Sequence, residues 1–125
     1  MNSLVSVIMS YYNKKDYFLQ SINSVLNQTH TNLEIIIIYD DQNKNDLEYI
    51  KNCVKNDLRV NIIFNDHNRG VAYSRNRAIS IAQGEYIAFL DCDDYWETSK
   101  IEIQLNFMLT HGYDFSHTTY RVIKY

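Results

Sequence analysis

The sequence predicts an α/β protein with a mostly parallel sheet and helices on both faces. Segments of strand type alternate with segments of helical periodicity along the 125 residues, and the connections between them are short. The segment Leu33 to Tyr39 is almost continuously apolar, as expected of a strand covered on both faces. Such alternation implies right-handed crossovers between parallel strands. The length suits one domain over residues 1–125, and 46% hydrophobic residues are enough for a buried core.

The first four elements follow from local patterns. Leu4 to Met9 is apolar and partly β-branched, which predicts strand one. A helix follows, because apolar residues recur at helical spacing on one face: Phe18, Ile22, Val25 and Leu26. Leu33 to Tyr39 is strand two, and a more polar helical segment runs from about Asp46 to Asn56.

The next three elements repeat this order. Val60 to Phe64 predicts a third strand, and Val71 to Ala82 predicts a third helix. Gly84 lies just beyond this helix and is interpreted as its C-terminal cap. Tyr86 to Leu90 predicts a fourth strand.

A fourth helix is predicted near the end of the chain. Ser99 and Glu102 have the spacing of a capping box, and Gly112 marks the point where the helix ends. Its apolar stripe consists of Ile101, Leu105, Met108 and Leu109. The residues from Tyr113 to Tyr125 are predicted to be extended.

Composition and charge exclude several functional classes. The formal charge of −3, with no long cluster of Lys or Arg, argues against nucleic acid or an anionic membrane as the main partner. Cys53 and Cys92 lie far apart without zinc-site spacing, so we interpret them as reduced thiols and expect oxygen ligands for any metal. The longest apolar run, Ile35 to Tyr39, is too short to cross a bilayer, and no signal-peptide pattern begins the chain. We therefore expect a cytoplasmic protein.

Polar residues follow three of the predicted strands, where open α/β sheets bind ligands. They are Tyr11, Tyr12 and Asn13 after strand one, Asp40 and Asp41 after strand two, and Asp91, Asp93 and Asp94 after strand four. Three carboxylates within four positions repel one another unless a cation offsets the repulsion, and Mg²⁺ or Mn²⁺ prefers such oxygen ligands. Each acid has the alternative role of forming a turn or capping a helix. The acidic pair after strand two could instead belong to a solvated loop, and the tyrosines could instead pack in the core.

Three segments together resemble a known family. VSVIMSYYN, LEIIIIYDD and NRGVAYSRNRAISIAQGEYIAFLDCDDYW match, in order and spacing, the N-terminal, nucleotide-sugar-binding half of inverting family 2 glycosyltransferases. Asn68 to Trp96 is the most specific block, and the similarity covers nearly the whole chain. The resemblance implies a truncated form of the GT-A fold, a Rossmann-like nucleotide-diphospho-sugar transferase fold.

The resemblance also implies roles near the first two strands. Tyr12 is expected to lie against the nucleotide base, with Ser10 and Asn13 nearby. Either Asp40 or Asp41 is expected to accept a hydrogen bond from the base or ribose. Counting from the strand's glutamate favours Asp40, whereas aligning the acidic pair favours Asp41. The family's glycine and serine after this pair are replaced here, since the sequence reads YDDQNKND.

Further roles are implied for the second half of the match. The D-x-D at 91–93 implies that Asp93 is the principal ligand of Mn²⁺ or Mg²⁺, and that Asp91 reaches the ribose or the metal through water. Arg75 and Asn76 match an A-R-N element and are expected, with Arg69, to position the sugar diphosphate. A solvated helix face remains the alternative for these three residues.

The chemistry implied by the resemblance is metal-dependent glycosyl transfer with inversion to a saccharide or glycolipid acceptor. A UDP-sugar is the expected donor, because UDP-sugars are frequent donors in this family. The general base is expected beyond Tyr125, and nothing supports His111 or His117 in that role. The full-length protein is expected in the cytoplasm or peripherally at the inner face of the membrane.

A donor-binding module without turnover is the main alternative. An Asp-based phosphotransferase fits less well, because the motif comes late and Tyr95 follows it. An exposed sheet edge predicts self-association.

Overall fold

A computed structural model describes residues 2–112, in which four strands alternate with four helices. In chain order they are β1 (Val5–Tyr11), α1 (Lys15–Leu26), β2 (Leu33–Tyr39), α2 (Leu47–Val54), β3 (Val60–Phe64), α3 (Val71–Ile81), β4 (Tyr86–Phe89) and α4 (Lys100–His111). The predicted alternation is confirmed. Residues 113–125, which were predicted to be extended, lie outside the described part.

The four strands form one sheet in the order β3-β2-β1-β4, and every neighbouring pair is parallel. The carboxyl ends of all four strands therefore meet at one edge. The register brings Tyr11, Tyr39 and Phe64 side by side at that edge. The rings of Tyr11 and Tyr39 stack with centroids 5.5 Å apart, so the ends of the two central strands also pack through their side chains.

Helices cover both faces of the sheet, as predicted. The larger core layer packs α1, α2 and α4 against one face, with Phe18, Ile50 and Leu105 among the buried contributors. On the opposite face, Ala78 of α3 packs against Ile8 and its neighbours on β2. Because side chains alternate along a strand, odd-numbered residues of β1 and β2 face the larger layer and even-numbered ones face α3. None of the helices within residues 2–112 has the length and apolarity needed to traverse a bilayer.

Several predicted boundaries require correction. β1 runs two residues past the predicted end at Met9, so Tyr11 belongs to the strand and does not follow it. α2 is shorter at both ends than the predicted 46–56. The extension of β1 has a clear cause, because Tyr11 pairs with Tyr39 in the ladder and its ring is buried.

The assignment of Gly84 as a helix cap is wrong. α3 ends at Ile81, and its C-cap residue, Ala82, has an extended conformation. Gly84 is needed because the backbone passes close to β1: an added Cβ would lie 2.5 Å from Ser6 Oγ. The Gly84 N–H donates a 2.8 Å hydrogen bond to that same oxygen. Glycine here permits a close approach between backbone segments.

The predicted capping box at the start of α4 is also wrong. Ser99 occupies the N-cap position, yet its side chain makes no capping hydrogen bond. Glu102 instead accepts a 2.6 Å hydrogen bond from Thr29 Oγ1. The N–H of Ile101 donates to Gln28 Oε1 at 3.0 Å. A side chain from the α1–β2 connection therefore caps α4 and leaves the local serine out of that role.

Candidate functional site

The acidic turn after β4 is anchored in the core by its second residue. Cys92 is 1% exposed and packs within the larger core layer, while Asp91 and Asp94 are exposed and Asp93 is partly exposed. The backbone closes a turn in which the Asp94 N–H donates to the Asp91 carbonyl at 3.0 Å. Ser21 of α1 donates a 3.2 Å hydrogen bond to the same carbonyl. The core thus holds the turn and presents its carboxylates outward.

The three carboxylates converge closely enough to share one ion. Asp91, Asp93 and Asp94 each offer an oxygen within 4.8 Å of the others. Burial raises the pKa of Asp94, and the charges of Asp93 and Asp91 raise it further. The pKa of the Cys92 thiol is raised by its burial and by the flanking carboxylates. This repulsion, together with an all-oxygen donor set, fits a hard divalent cation.

Two basic side chains flank the acidic turn. Lys14, just before α1, places Nζ 3.3 Å from Asp93 Oδ2. Arg75 of α3 places Nη2 3.2 Å from Asp91 Oδ1, and its guanidinium lies over the ring of Phe89 with Cζ 4.8 Å from the centroid. These contacts join the end of β4 to the exit of β1 and to the first turns of α3.

The two tyrosines at the end of β1 lie in opposite environments. Tyr12 is 48% exposed, and Asn13, also exposed, adopts a left-handed backbone with φ of 54° at the turn into α1. Tyr11 is buried, and its hydroxyl donates a 2.7 Å hydrogen bond to Asp46. Burial and this carboxylate raise the pKa of Tyr11. Ser10 is half-buried. Tyr12 and Asn13 are therefore accessible at the carboxyl edge, whereas Tyr11 belongs to the core.

Asp40 is buried at the end of β2 and accepts four hydrogen bonds through its carboxylate. Its Oδ1 accepts from Asn65 Nδ2 and from the Arg69 N–H, both at 2.7 Å. Its Oδ2 accepts from the Gly70 N–H at 2.9 Å and from Asn68 Nδ2 at 3.1 Å. Because a carboxylate has about four acceptor positions, the protein itself occupies those of Asp40. Asp40 thereby fixes the loop that leads into α3.

The remaining predicted residues lie in more open surroundings. Asp41 is partly exposed, and its Oδ1 accepts a 3.0 Å hydrogen bond from the Asn43 N–H. The side chain of Arg69 turns towards Asp66, with Nε 3.1 Å from Oδ1. Asn76 is exposed on α3 next to the arginine that reaches the acidic turn. The structure thus joins Arg75 to the acidic turn but pairs the Arg69 side chain elsewhere.

Three residues that shape the site were missed by the sequence reasoning: Lys14, Asn65 and Asn68. A usable signal existed for Asn65, because it follows β3 directly and the carboxyl ends of parallel strands share one edge. Lys14 follows Asn13 at the exit of β1 and could have been included by the same rule. The contact of Asn68 with Asp40 spans 28 residues and depends on the tertiary fold.

A parallel sheet with helices on both faces, gathering aromatic, acidic and basic side chains at its carboxyl edge, defines a Rossmann-like α/β protein. The model of the glycosyl transferase family 2 matches residues 6–125, and the chain belongs to this family.

Relatives and solved structures agree with this membership. The UDP-Glc:alpha-D-GlcNAc-diphosphoundecaprenol beta-1,3-glucosyltransferase WfaP of Escherichia coli is 46% identical over 97% of this chain and 47% of its own length. The crystal structure of S. aureus TarS 1-349 in complex with UDP-GlcNAc superposes with a TM-score of 0.77 at 27% identity, over 86% of this chain and 32% of that one. The chain therefore spans about half the length of WfaP and about a third of the TarS structure.

A third comparison concerns the fold alone. The mannosyltransferase PcManGT from Pyrobaculum calidifontis, solved in complex with GDP-Man and Mn²⁺, has a TM-score of 0.69 at 19% identity, over 77% of this chain and 29% of that one. The family match over residues 6–125 confirms the predicted family, and the superpositions on TarS and PcManGT confirm the predicted GT-A fold.

Proposed function

We propose that this chain is the donor-binding part of a glycosyltransferase that transfers a sugar from a nucleoside diphosphate sugar with inversion. One observation carries the proposal: in a member of this family, three convergent carboxylates lie at the same sheet edge as an exposed tyrosine and an exposed asparagine. UDP is the proposed nucleotide, because the names of WfaP and of the TarS complex both contain a UDP-sugar.

The acidic turn is the proposed site of a Mn²⁺ or Mg²⁺ ion. Asp93 is the principal ligand in this proposal, and Asp91 and Asp94 are close enough to contribute. Their oxygen donors and mutual repulsion fit such an ion, and PcManGT, at 19% identity, supports only the fold. The bound ion would stabilise negative charge on the diphosphate as it leaves. The turn itself holds the carboxylates in place through Cys92 and Ser21.

For the nucleoside we propose Tyr12 and Asp41. The exposed ring of Tyr12 offers a flat apolar surface to a planar base, with Asn13 and Ser10 close in sequence. Asp40 is less suited to the base or ribose, because four hydrogen bonds from the protein already occupy its carboxylate. Asp41 is partly exposed and keeps acceptor capacity beyond its bond to the Asn43 N–H.

For the diphosphate and sugar we propose Arg75 first and Asn76 second. The guanidinium of Arg75 is held between the Phe89 ring and Asp91, so it is oriented before any donor arrives. Asn76 follows it on an exposed part of α3. Arg69 contributes through its backbone, whose N–H is bound by Asp40, while its side chain pairs with Asp66.

The proposed reaction is a single displacement in which an acceptor hydroxyl attacks the anomeric carbon and the nucleoside diphosphate leaves. The described residues supply donor binding and charge compensation, and we assign none of them as the base that takes the acceptor proton. The acceptor is proposed to be a saccharide or glycolipid, since WfaP is named for a diphosphoundecaprenol-linked sugar. A lipid-linked acceptor would bring the full-length protein to the inner face of the membrane.

A second candidate is a donor-binding module that does not turn over on its own. It is favoured because residues 2–112 supply donor binding and charge compensation but no assigned base for the acceptor proton. Both candidates predict nucleotide binding, and they differ in whether this chain hydrolyses or transfers the sugar. Product release from a radiolabelled UDP-sugar in the presence of Mn²⁺ distinguishes them.

Calorimetry with UDP, GDP and dTDP, each with and without Mn²⁺, tests the shared part of the proposal. We expect UDP to bind in a Mn²⁺-dependent manner and Asp93→Asn to lose that dependence. Asp57→Asn is a matched control, because Asp57 pairs with Arg59 at the opposite end of β3 from the site. Equal Mn²⁺-dependent binding by the wild type and by Asp93→Asn would remove Asp93 from the site.

A further inference from the structure

Lys14 is a basic residue at the site that the family resemblance did not assign. It follows Asn13 at the exit of β1 and occupies the position just before α1. Its carbonyl accepts hydrogen bonds from the Tyr17 and Phe18 N–H groups, so its backbone is fixed by the first turn of the helix. Its Nζ lies 3.3 Å from Asp93 Oδ2. A cation of the protein therefore already contacts the carboxylate proposed as the principal metal ligand.

The ion pair between Lys14 and Asp93 can break easily, which frees Lys14 for another partner. The side chains of Lys14 and Asp93 are 42% and 40% exposed, so water competes with the contact. Lysine carries a point charge on a flexible stem with three rotatable donors, which lets it change partners without moving the backbone. Arg75 differs, because its guanidinium also packs on the Phe89 ring while it pairs with Asp91.

We propose that Lys14 is a further donor-binding residue: it balances the charge of Asp93 before the metal binds and then contacts the diphosphate. The inference rests on the proposed function, since it requires a divalent cation at the acidic turn. A divalent cation held by Asp93 would lie within a few ångströms of Nζ and repel it. The diphosphate brings negative oxygens to the same cation, and these give Nζ a new partner within reach of its stem.

Lys14 should therefore oppose the metal when it binds alone and support the nucleotide when it binds with metal. Replacement by methionine keeps the length of the stem and removes the charge. Because the Lys14 ammonium no longer competes for Asp93, Lys14→Met should bind Mn²⁺ in the absence of nucleotide about threefold more tightly than the wild type, as expected for loss of an exposed ion pair. It should bind UDP in saturating Mn²⁺ about tenfold more weakly, because a charged hydrogen bond to the diphosphate is lost.

The chain offers a matched control in the next residue. Lys15 carries the same charge and is the first residue of α1, but its Nζ lies over the Tyr49 ring, 5.2 Å from the centroid. Lys15→Met removes one positive charge from this region without removing a contact to the acidic turn. Lys14→Arg should restore both affinities towards the wild-type values, since the charge returns.

The experiment measures Mn²⁺ affinity by electron paramagnetic resonance of the free ion and UDP affinity by calorimetry, on the 125-residue chain. Circular dichroism establishes that each variant is folded. Opposite changes in Lys14→Met, with Lys15→Met near the wild type, support the inference. Unchanged or weaker Mn²⁺ binding in Lys14→Met, unchanged UDP binding, or the same changes in Lys15→Met would overturn it. A wild type without Mn²⁺ affinity would refute the proposed metal site as well, and so identifies the failure of the proposed function.

Discussion

Replacement of Asp40 by asparagine should destabilise the fold strongly, although the side chain keeps its size. The carboxylate accepts four hydrogen bonds, two on each oxygen. An asparagine oxygen can keep two of them, while its amide nitrogen faces the donors of the other two. Two lost hydrogen bonds to a charged group, at about 1.5 kcal/mol each, give a loss of about 3 kcal/mol in the free energy of unfolding. This is a large part of the roughly 5–15 kcal/mol that stabilises a typical domain.

Urea unfolding followed by circular dichroism measures this loss. With a slope of about 1.5 kcal/mol per molar urea, typical of small proteins, the midpoint of Asp40→Asn should fall by about 2 M. Asp41→Asn is the matched control, because it makes the same chemical change at the next residue, which is partly exposed. It should cost less than about 1 kcal/mol of stability and should weaken UDP binding about tenfold through loss of a charged acceptor.

The two variants should thus separate stability from binding. A loss of less than about 1 kcal/mol in Asp40→Asn would show that the four hydrogen bonds do not anchor the loop before α3. Full UDP affinity in Asp41→Asn would assign the nucleoside contact to another residue.

Three further predictions concern packing, thiols and the sheet edge. Gly84→Ala should lower the free energy of unfolding by about 2 kcal/mol, because the new Cβ would lie 2.5 Å from a serine oxygen. Gly112→Ala, whose new Cβ would have nothing within 4 Å, should lower it by about 1 kcal/mol through the positive φ alone; urea unfolding measures both. Cys53 and Cys92 are both free and buried, and burial raises the pKa of each, so a disulfide reagent at pH 8 should label neither in the native state and both in urea. β4 is an edge strand of the described sheet, and its Phe89 is 43% exposed. The wild type should therefore self-associate, as measured by light scattering, and Phe89→Lys should self-associate less; a wild-type monomer at all concentrations would refute this expectation.

Periodicity was sufficient to predict the elements of the fold, and the rule for strand ends was sufficient to place the acidic turn. Helix termini were harder, because their partners are distant in sequence. The N–H at the start of α4 bonds to Gln28, 73 residues away, and Gly84 is required by a serine 78 residues away. Neither contact leaves a local signal in the sequence. Residues at the site that contact one another across strand ends, such as Asn68 with Asp40, share this property.

The different burial of Asp40 and Asp41 follows from the pleat of β2. Even-numbered residues of this strand face α3, as the packing of Ile36 and Ile38 against that helix shows. Asp40 continues this alternation, so its carboxylate lies under the loop that begins α3, where Asn65 and two backbone N–H groups meet it. Asp41 is the first residue beyond this constraint and remains partly exposed.

The same alternation explains why the sequence supports two alignments of the acidic pair. One residue added to or removed from β2 would exchange the faces of all later side chains. Counting from Glu34 follows the pleat and therefore identifies the buried acid, Asp40. Aligning the acidic pair follows the chemistry of the turn and identifies the exposed acid, Asp41. The two alignments differ because one follows burial, which selects Asp40, and the other follows exposure, which selects Asp41.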